Sequence, residues 1–540
     1  MNNMKKRVFV LAWVAIIILA ASYKGILLLE ESFPFNSDEA IVGLMAKHIL
    51  EGERPTFFYG QSYMGSLDAW IVAGGFALFG EKIWVIRMIQ TLLYLITISL
   101  SMYLVKLHSS SIWQPLLTGL FMAFPAVNTV LYTTISLGGY GESLAIGTLL
   151  LVVYTLYKKR NQADYKNVWL VLVIGLVAGA GFWVNGITLV YSIPVLCLLL
   201  GEWIFLPNSG RKWGIFLTGL ILLIAGLFLG LFPWIMFVVD NGLQTILAEN
   251  LGKVVDVTGQ SYLNSILLHL RNLLLFGTTV IFGIRPPWSA QILAKPIIPI
   301  ALAAWVFTIF LSRKKSNDHD NTGLLRLVLI VNAVLILGFI FTPFGNDPSG
   351  RYFLPLTQML CIFAGFILGK HGNKPFLPVI ATAAIIVFNV WGVAESARNN
   401  PPGLTTQFDA VTQIDHQYDE ALVHFLNANG ETTGYTNYWV AYPLAFLSNE
   451  ELIYVPRLPY HQDFRYTERD DRIDRYGKIV AESNKIAYIT TNHPQLDNRI
   501  REEFYRNNIS WTEKKIGDYQ VFYNLSETIH PENMELGLVE

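Results

Sequence analysis

Long apolar runs separated by short polar breaks extend from Val8 to about Ala394, and short alternating apolar and polar stretches follow to the C-terminus. A hydrocarbon core of roughly 30 Å takes about 20 apolar residues as a helix. Windows of about 19 residues predict spans near 8–29, 83–105, 112–135, 141–157, 167–183, 187–206, 214–239, 296–312, 323–343, 352–369 and 375–394, eleven in all. The first run exceeds the apolar core of a usual signal peptide and further spans follow, so it is read as a span.

Basic residues gather at alternate ends of these runs, among them Lys5, Lys6, Arg7, Lys106, Lys158, Lys159, Arg211, Lys212, Lys314, Lys315, Lys370 and Lys374. Short loops rich in Lys and Arg stay in the cytoplasm. The pattern therefore predicts a multi-pass membrane protein with a cytoplasmic N-terminus, and the absence of eukaryotic targeting signals fits a prokaryotic plasma membrane. The stretch from Glu30 to Glu81, the loop from Asp240 to about Lys295, the Asn346–Arg351 loop and the whole tail then lie outside. Residues 1–394, with the outer loop 30–81, read as a mainly α membrane domain, and 395–540 as an extracytoplasmic soluble domain. Asn399–Gly403 (NNPPG) reads as the linker between them. In the tail, Ala421–Asn429 and Leu496–Asn507 read as helices, and Leu452–Val455, Lys485–Thr491 and Tyr519–Asn524 as strands, which together make a small α/β domain.

Composition narrows the function classes. Charged residues are 15% of the chain and mean hydropathy is +0.42, against about 25% charge in a soluble domain. Residues 395–540 hold 23 of the 40 acidic and 13 of the 39 basic residues, so nucleic acid is not an expected partner. The two cysteines, Cys197 and Cys361, fall inside apolar runs and form no CxxC pattern. The middles of the spans hold almost no ionisable residue, which disfavours an ion-coupled pump.

The stretch with most chemistry is Asn36–Trp70, NSDEAIVGLMAKHILEGERPTFFYGQSYMGSLDAW. Asn36 and Glu39 fit a helix-capping pair, and Ile41, Leu44, Met45 and Ile49 form an apolar stripe suited to a helix lying in the membrane interface. Asp38 and Glu39 then have two readings. They complement the helix dipole in the first turn, or they act on a substrate. A carboxylate at the outer surface can meet a lipid-linked donor and a water-borne acceptor together. An acceptor hydroxyl is a poor nucleophile until its proton is taken, which makes Asp38 a candidate general base for glycosyl transfer with inversion.

An Asp-Glu pair after the first span, a short amphipathic helix and a turn bearing Gly and Tyr resemble the membrane glycosyltransferases of the GT-C class. Within it the sequence is similar to glycosyltransferase family 39, the polyprenyl-phosphate-mannose protein mannosyltransferases and aminoarabinose transferases. The resemblance covers roughly residues 1–370, with motif matches near 36–80 and 350–356. It implies a GT-C fold, a polyprenyl-phosphate-sugar donor, an acceptor of unstated class (protein, lipid or glycan), Asp38 as catalytic base and Glu39 as its neighbour. The loop tyrosine is Tyr63. Many relatives follow it with Lys-Pro-Pro, whereas Met64, Gly65, Ser66 and Leu67 stand here, so no phosphate-holding lysine is carried over.

Other positions follow from the resemblance and from chemistry together. Asp68 matches an acidic spot and reads either as a contact to acceptor or metal, or as the polar start of a helix. Glu142, in GGYGESLAIGTLL, matches a second acidic position facing the outer cavity, with helix capping as the other reading. A leaving phosphate gains negative charge, so a guanidinium is the expected stabiliser. Arg351, in GRYFLP with Tyr352 beside it, is the first candidate, against an interfacial anchor. Arg285, in GIRPPW, and Arg271 are weaker ones. No cofactor is expected. His48 and His269 admit a divalent metal with nearby carboxylates, but no metal-binding motif spacing occurs, and a phosphate-ester donor does not require such an ion. In the tail, Tyr435–Phe446 (YTNYWVAYPLAF) reads as core packing or as a sugar-stacking surface. Glu468–Arg475 (ERDDRIDR) reads as a solvated helix or loop. The rival functions are a lipid-glycan transporter or flippase and a non-catalytic membrane-anchored glycan-binding protein.

Overall fold

The computed structural model describes residues 3–160, 167–204, 212–243, 261–313, 319–371 and 376–539. Arg211, Lys314, Lys315, Lys374 and the middle of the loop expected from Asp240 to Lys295 lie outside the described residues. The chain divides into two compact units. One takes Met1–Glu30, Ser62–Asp68 and Arg87–Ser396, and the other Glu31–Gln61, Ala69–Ile86 and Ala397–Glu540. The segment 30–81 is thus shared out between them.

Among the described residues, eight helices are long and apolar enough to cross a membrane: Arg7–Leu29, Ile83–Leu107, Tyr140–Lys159, Gly186–Ile204, Lys295–Ser312, Gly323–Phe341, Arg351–Lys370 and Phe376–Arg398. The pair Phe216–Gly230 and Phe232–Asn241, bent by 62°, makes a ninth if it is one span. The protein is a multi-pass membrane protein. Two of the eleven expected spans take another form. The run 112–135 breaks into Trp113–Ala123 and Val127–Tyr132, because Pro125 lacks an N–H and drives the residue before it out of helical geometry. The run 167–183 becomes Trp169–Val184, whose 16 residues reach only about 24 Å.

In the first unit, Trp169–Val184 packs directly on Lys212–Gly230. Gly175 and Gly179 on one helix face Gly226 and Gly230 on the other: a Cβ on Gly226 would stand 2.2 Å from Leu172 O, and one on Gly175 2.4 Å from Leu223 O. Small residues four apart let backbones touch where no hydrophobic effect drives helices together. Buried polar contacts add to this. Gln358 accepts from Tyr191 Oη at 2.6 Å and donates to Ser101 Oγ at 2.9 Å and Thr148 Oγ1 at 2.5 Å.

The second unit contains a five-stranded sheet in the spatial order Ile453–Pro456, Thr433–Thr436, Ala487–Thr491, Tyr519–Tyr523, Thr512–Ile516. The first three strands run parallel, and Tyr519–Tyr523 runs antiparallel to both of its neighbours. Leu422, Leu426, Val440, Leu444, Ile489 and Val521 fill its core. The expected helices and strands of the tail are present. Thr433–Thr436, Thr512–Ile516 and the helices Tyr438–Leu447 and Asp474–Ala481 were not foreseen.

Ser37–Glu51, expected as an interfacial helix, is instead buried in this unit on all sides, including the off-stripe residues Ala40, Val42 and Ala46. It packs against Tyr438–Leu447. Gly43 is the reason for the close fit, since a Cβ there would lie 2.6 Å from Phe446 Cε2. A membrane-facing helix needs one apolar stripe, but a helix enclosed by protein needs small and apolar residues all round.

Candidate functional site

In the second unit the strand Thr433–Thr436, second in the sheet, lies where the strand order reverses, the usual place for functional groups at the carboxyl ends of an α/β sheet. Asn437 follows directly. Its Oδ1 accepts from Trp439 N at 3.0 Å and its Nδ2 donates to Thr491 Oγ1 at 2.9 Å, which starts the helix Tyr438–Leu447 at that edge. Asn36 caps the loop helix in the same manner, its Oδ1 accepting from Glu39 N at 3.0 Å. The first turn therefore presents Ser37, Asp38 and Glu39. Glu39 is fully buried and Asp38 half-buried.

Asp38 Oδ1 accepts a 2.5 Å hydrogen bond from the phenol of Tyr438. The Ser37 hydroxyl donates in turn to the Tyr438 carbonyl. Burial, and next the Asp38 charge, push the Tyr438 phenol well above its usual range, so it is a neutral donor at working pH. The Arg472 guanidinium lies 5.7 Å from the centre of the Tyr438 ring and donates to Gly60 O at 3.2 Å. Gly60 has φ of +70°, and a Cβ there would stand 2.7 Å from Arg472 Cδ, so glycine is required on both counts. Tyr442 donates to Asp470 O at 2.7 Å and accepts from Arg472 N at 2.6 Å. Burial pushes the Asp470 carboxyl up to about 6, against the pull of Arg472 and a hydrogen bond from Tyr460.

These contacts correct the reading of Glu468–Arg475 as merely solvated, since Asp470 is 5% exposed and Arg472 is packed on Tyr438 and Gly60. Of the aromatic stretch, Tyr438 and Tyr442 are buried and packed edge to face, as core packing requires. His48 is buried too. Its Nδ1 meets Tyr59 Oη at 3.0 Å and its Nε2 meets Glu450 Oε1 at 3.2 Å, and Glu450 also takes hydrogen bonds from Lys47 and Tyr476.

In the first unit, Asp68 and Glu142 are brought together. Gln90 Nε2 donates to Asp68 Oδ1 at 2.8 Å and to Glu142 Oε1 at 3.2 Å, and the Ser136 hydroxyl donates to Asp68 Oδ2. Both carboxyls are buried. Gly139, with φ of +79°, starts the helix that carries Glu142, and Gly141 leaves room for Gln90, whose Oε1 would be 2.3 Å from a Cβ there.

Arg351 is held by Asp347, whose Oδ2 lies 2.8 Å from Nε and 2.5 Å from Nη2. Tyr63, Tyr140 and Tyr352 lie close enough to interact with its charge. Tyr63 and Tyr352 also line an apolar cavity of about 250 Å³, with Asn185, Val190, Leu335 and Phe339 among its walls. His269 supports this end of the unit through Ile340 O at 2.8 Å and Asn346 Oδ1 at 2.9 Å. Arg285 is tied to Thr279 Oγ1 at 2.9 Å and to the carbonyls of Pro286 and Ser289. It lies over Phe276, an arrangement that anchors its own turn. Lys24, inside the first span, is buried and donates to Thr133 Oγ1 at 2.8 Å and Thr134 Oγ1 at 2.9 Å.

Among the described residues, no three His, Cys, Asp or Glu side chains are grouped as metal ligands. Sequence reasoning missed Gln90, Ser136, Asp347, Tyr438 and Arg472. A lone glutamine in an apolar run was a usable signal for Gln90, and the i, i+4 spacing of Asp347 and Arg351 was another.

No protein-family model matches the sequence, and no curated protein matches it either. Solved structures do. ArnT from Cupriavidus metallidurans, bound to undecaprenyl phosphate, aligns over 97% of this chain and 99% of its own at 12% identity, with a TM-score of 0.55. The oligosaccharyltransferase of Archaeoglobus fulgidus, tethered to an acceptor peptide containing an NVT sequon, aligns over 98% of this chain and 75% of its own at 10% identity, with a TM-score of 0.51. The chain has the GT-C fold, with a C-terminal α/β region.

Proposed function

We propose that the protein is an integral membrane glycosyltransferase that moves a sugar from a polyprenyl-phosphate carrier to an acceptor on the extracytoplasmic face of the plasma membrane. The carrying observation is the pairing of a cation with an apolar cavity through shared residues. The Arg351 guanidinium lies 5.2 Å from the centre of the Tyr352 ring, Tyr63 is within range of its charge, and both tyrosines line the cavity. A ligand with one phosphate and one isoprenoid chain has that same division of chemistry.

In the reaction, the acceptor oxygen attacks the anomeric carbon from the face opposite the phosphate. The acceptor O–H proton passes to Asp38, the new C–O bond forms, and the C–O bond to phosphate breaks with its electron pair going to the phosphate oxygen. The anomeric centre inverts. Arg351 steadies the growing phosphate charge with its planar fork of donors, and Asp68 and Glu142 orient sugar or acceptor. Glu39 supports the first turn beside Asp38.

The test uses full-length protein in lipid nanodiscs, a panel of radiolabelled undecaprenyl-phosphate sugars, and peptide, lipid and glycan acceptors. Wild type releases undecaprenyl phosphate with transfer of label and an inverted anomeric centre, and Asp38→Asn does neither. Transfer by Asp38→Asn at the wild-type rate, or passage of the intact sugar lipid across the bilayer without release of carrier, would overturn the reading.

A further inference from the structure

Asp38 and Tyr438 stand 400 positions apart and meet twice. The phenol donates to Asp38 Oδ1, and Ser37, one residue earlier, donates back to the Tyr438 carbonyl. The first turn of the loop helix thus grips the backbone of the residue whose side chain grips the carboxylate. An aspartate left to itself samples several staggered rotamers. With Oδ1 occupied by a fixed donor, one rotamer is selected and Oδ2 is left to face a second partner.

The phenol is itself constrained. Its ring packs edge to face with Trp439 at 5.2 Å and Tyr442 at 5.6 Å between centroids, and Arg472 lies over it. Arg472 is fastened at its tip to Gly60 O and at its backbone to Tyr442. Everything that fixes the hydroxyl comes from packed or hydrogen-bonded groups within one compact unit.

We propose that Tyr438 is a positioning residue for glycosyl transfer, holding Asp38 Oδ1 so that Oδ2 is aimed at the acceptor hydroxyl. This rests on Asp38 acting as the base. A base must reach its proton within about 2.6–3.2 Å, and a misplacement of about 1 Å costs on the order of 10²-fold. The effect of losing the phenol therefore falls on the chemical step and not on the binding of donor or acceptor.

The experiment compares wild type, Tyr438→Phe, Arg472→Gln and Asp38→Asn as full-length proteins in nanodiscs. The donor is the undecaprenyl-phosphate sugar that wild type turns over. Tyr438→Phe keeps the ring and its edge contacts and removes only the hydroxyl. Its kcat should fall about 10- to 100-fold, with both KM values within about twofold of wild type and the apparent unfolding temperature unchanged. Arg472→Gln should give a smaller fall of the same kind. Wild-type kcat in Tyr438→Phe, with Asp38→Asn inactive, overturns the positioning role and leaves the base assignment standing. A drop in unfolding temperature that accounts for the lost activity overturns it in favour of a scaffold role. Turnover by Asp38→Asn at the wild-type rate removes both.

Discussion

Asp347 holds Arg351 through one oxygen, Oδ2, which accepts a hydrogen bond from Nε at 2.8 Å and pairs with Nη2 at 2.5 Å. The carboxylate occupies one side of the guanidinium and fixes its plane, and the remaining donors face elsewhere.

If those donors meet a leaving phosphate, Arg351→Ala should lower kcat about 10²–10³-fold. Arg351→Lys should recover little, since an ammonium lacks the planar fork. Asp347→Asn keeps the cation and should cost less than either. Single-turnover rates of carrier release measure all three, and an unimpaired Arg351→Ala would rule out the phosphate contact.

The glycine seam gives a stability prediction free of any function. Gly226→Ala places a Cβ 2.2 Å from Leu172 O, a backbone atom with little freedom to move. Overpacking of this sort costs about 1–3 kcal/mol, which should show as a lower thermal midpoint in detergent. Gly201→Ala, with nothing within 4 Å of the new Cβ, is the control and should be neutral or slightly stabilising.

Asp470 predicts one pH dependence. Burial raises its folded value to about 6 from an ordinary 3.8, so between these values the folded state keeps a proton that the unfolded state has released. Stability contributed by this group falls as pH rises through that window. Asp470→Asn should then raise the unfolding temperature at about pH 7.5, by up to about 3 kcal/mol in free energy, and have little effect near pH 4. A stabilisation independent of pH would contradict the assignment.

Glu450 predicts the opposite slope. Burial alone would raise its value, but hydrogen bonds from His48, Tyr476 and Lys47 outweigh it and hold the carboxyl well below the usual 4.5. Its contribution is present above about pH 4.5 and is lost as pH falls through the folded value. Glu450→Gln should lower the thermal midpoint at neutral pH, with the difference shrinking in acid. A constant difference down to pH 2 would count against it.

Much of the architecture was legible in the sequence because membrane spans declare themselves by length. The failures were local. Phe124-Pro125 cut one run in two, and Trp169–Val184 fell short because Asn185 turns extended there and its side chain accepts from Ile187 N to start the next turn. The loop helix reads as interfacial because Ile41, Leu44, Met45 and Ile49 form a stripe, while Ala40, Gly43 and Ala46 on the other faces carry too little side chain to register as apolar pressure. Asp38, Glu142 and Arg351 could be singled out from motifs. Tyr438 could not, since no periodicity links residues 400 apart. Glu468–Arg475 misled for a related reason: mixed charges look solvated until the side chain they enclose, here Tyr438, is known.

That long separation has a consequence for how the protein is made. At roughly 5–20 residues per second, the ribosome needs on the order of 20–80 s to travel from Asp38 to Tyr438. Through that interval the Ser37–Glu51 helix is on hand without the helix that buries it, and Gly43 waits for Phe446. The nascent chain must keep this largely apolar helix out of trouble until the Tyr438–Leu447 segment arrives, and it gains its anchored carboxylate only then.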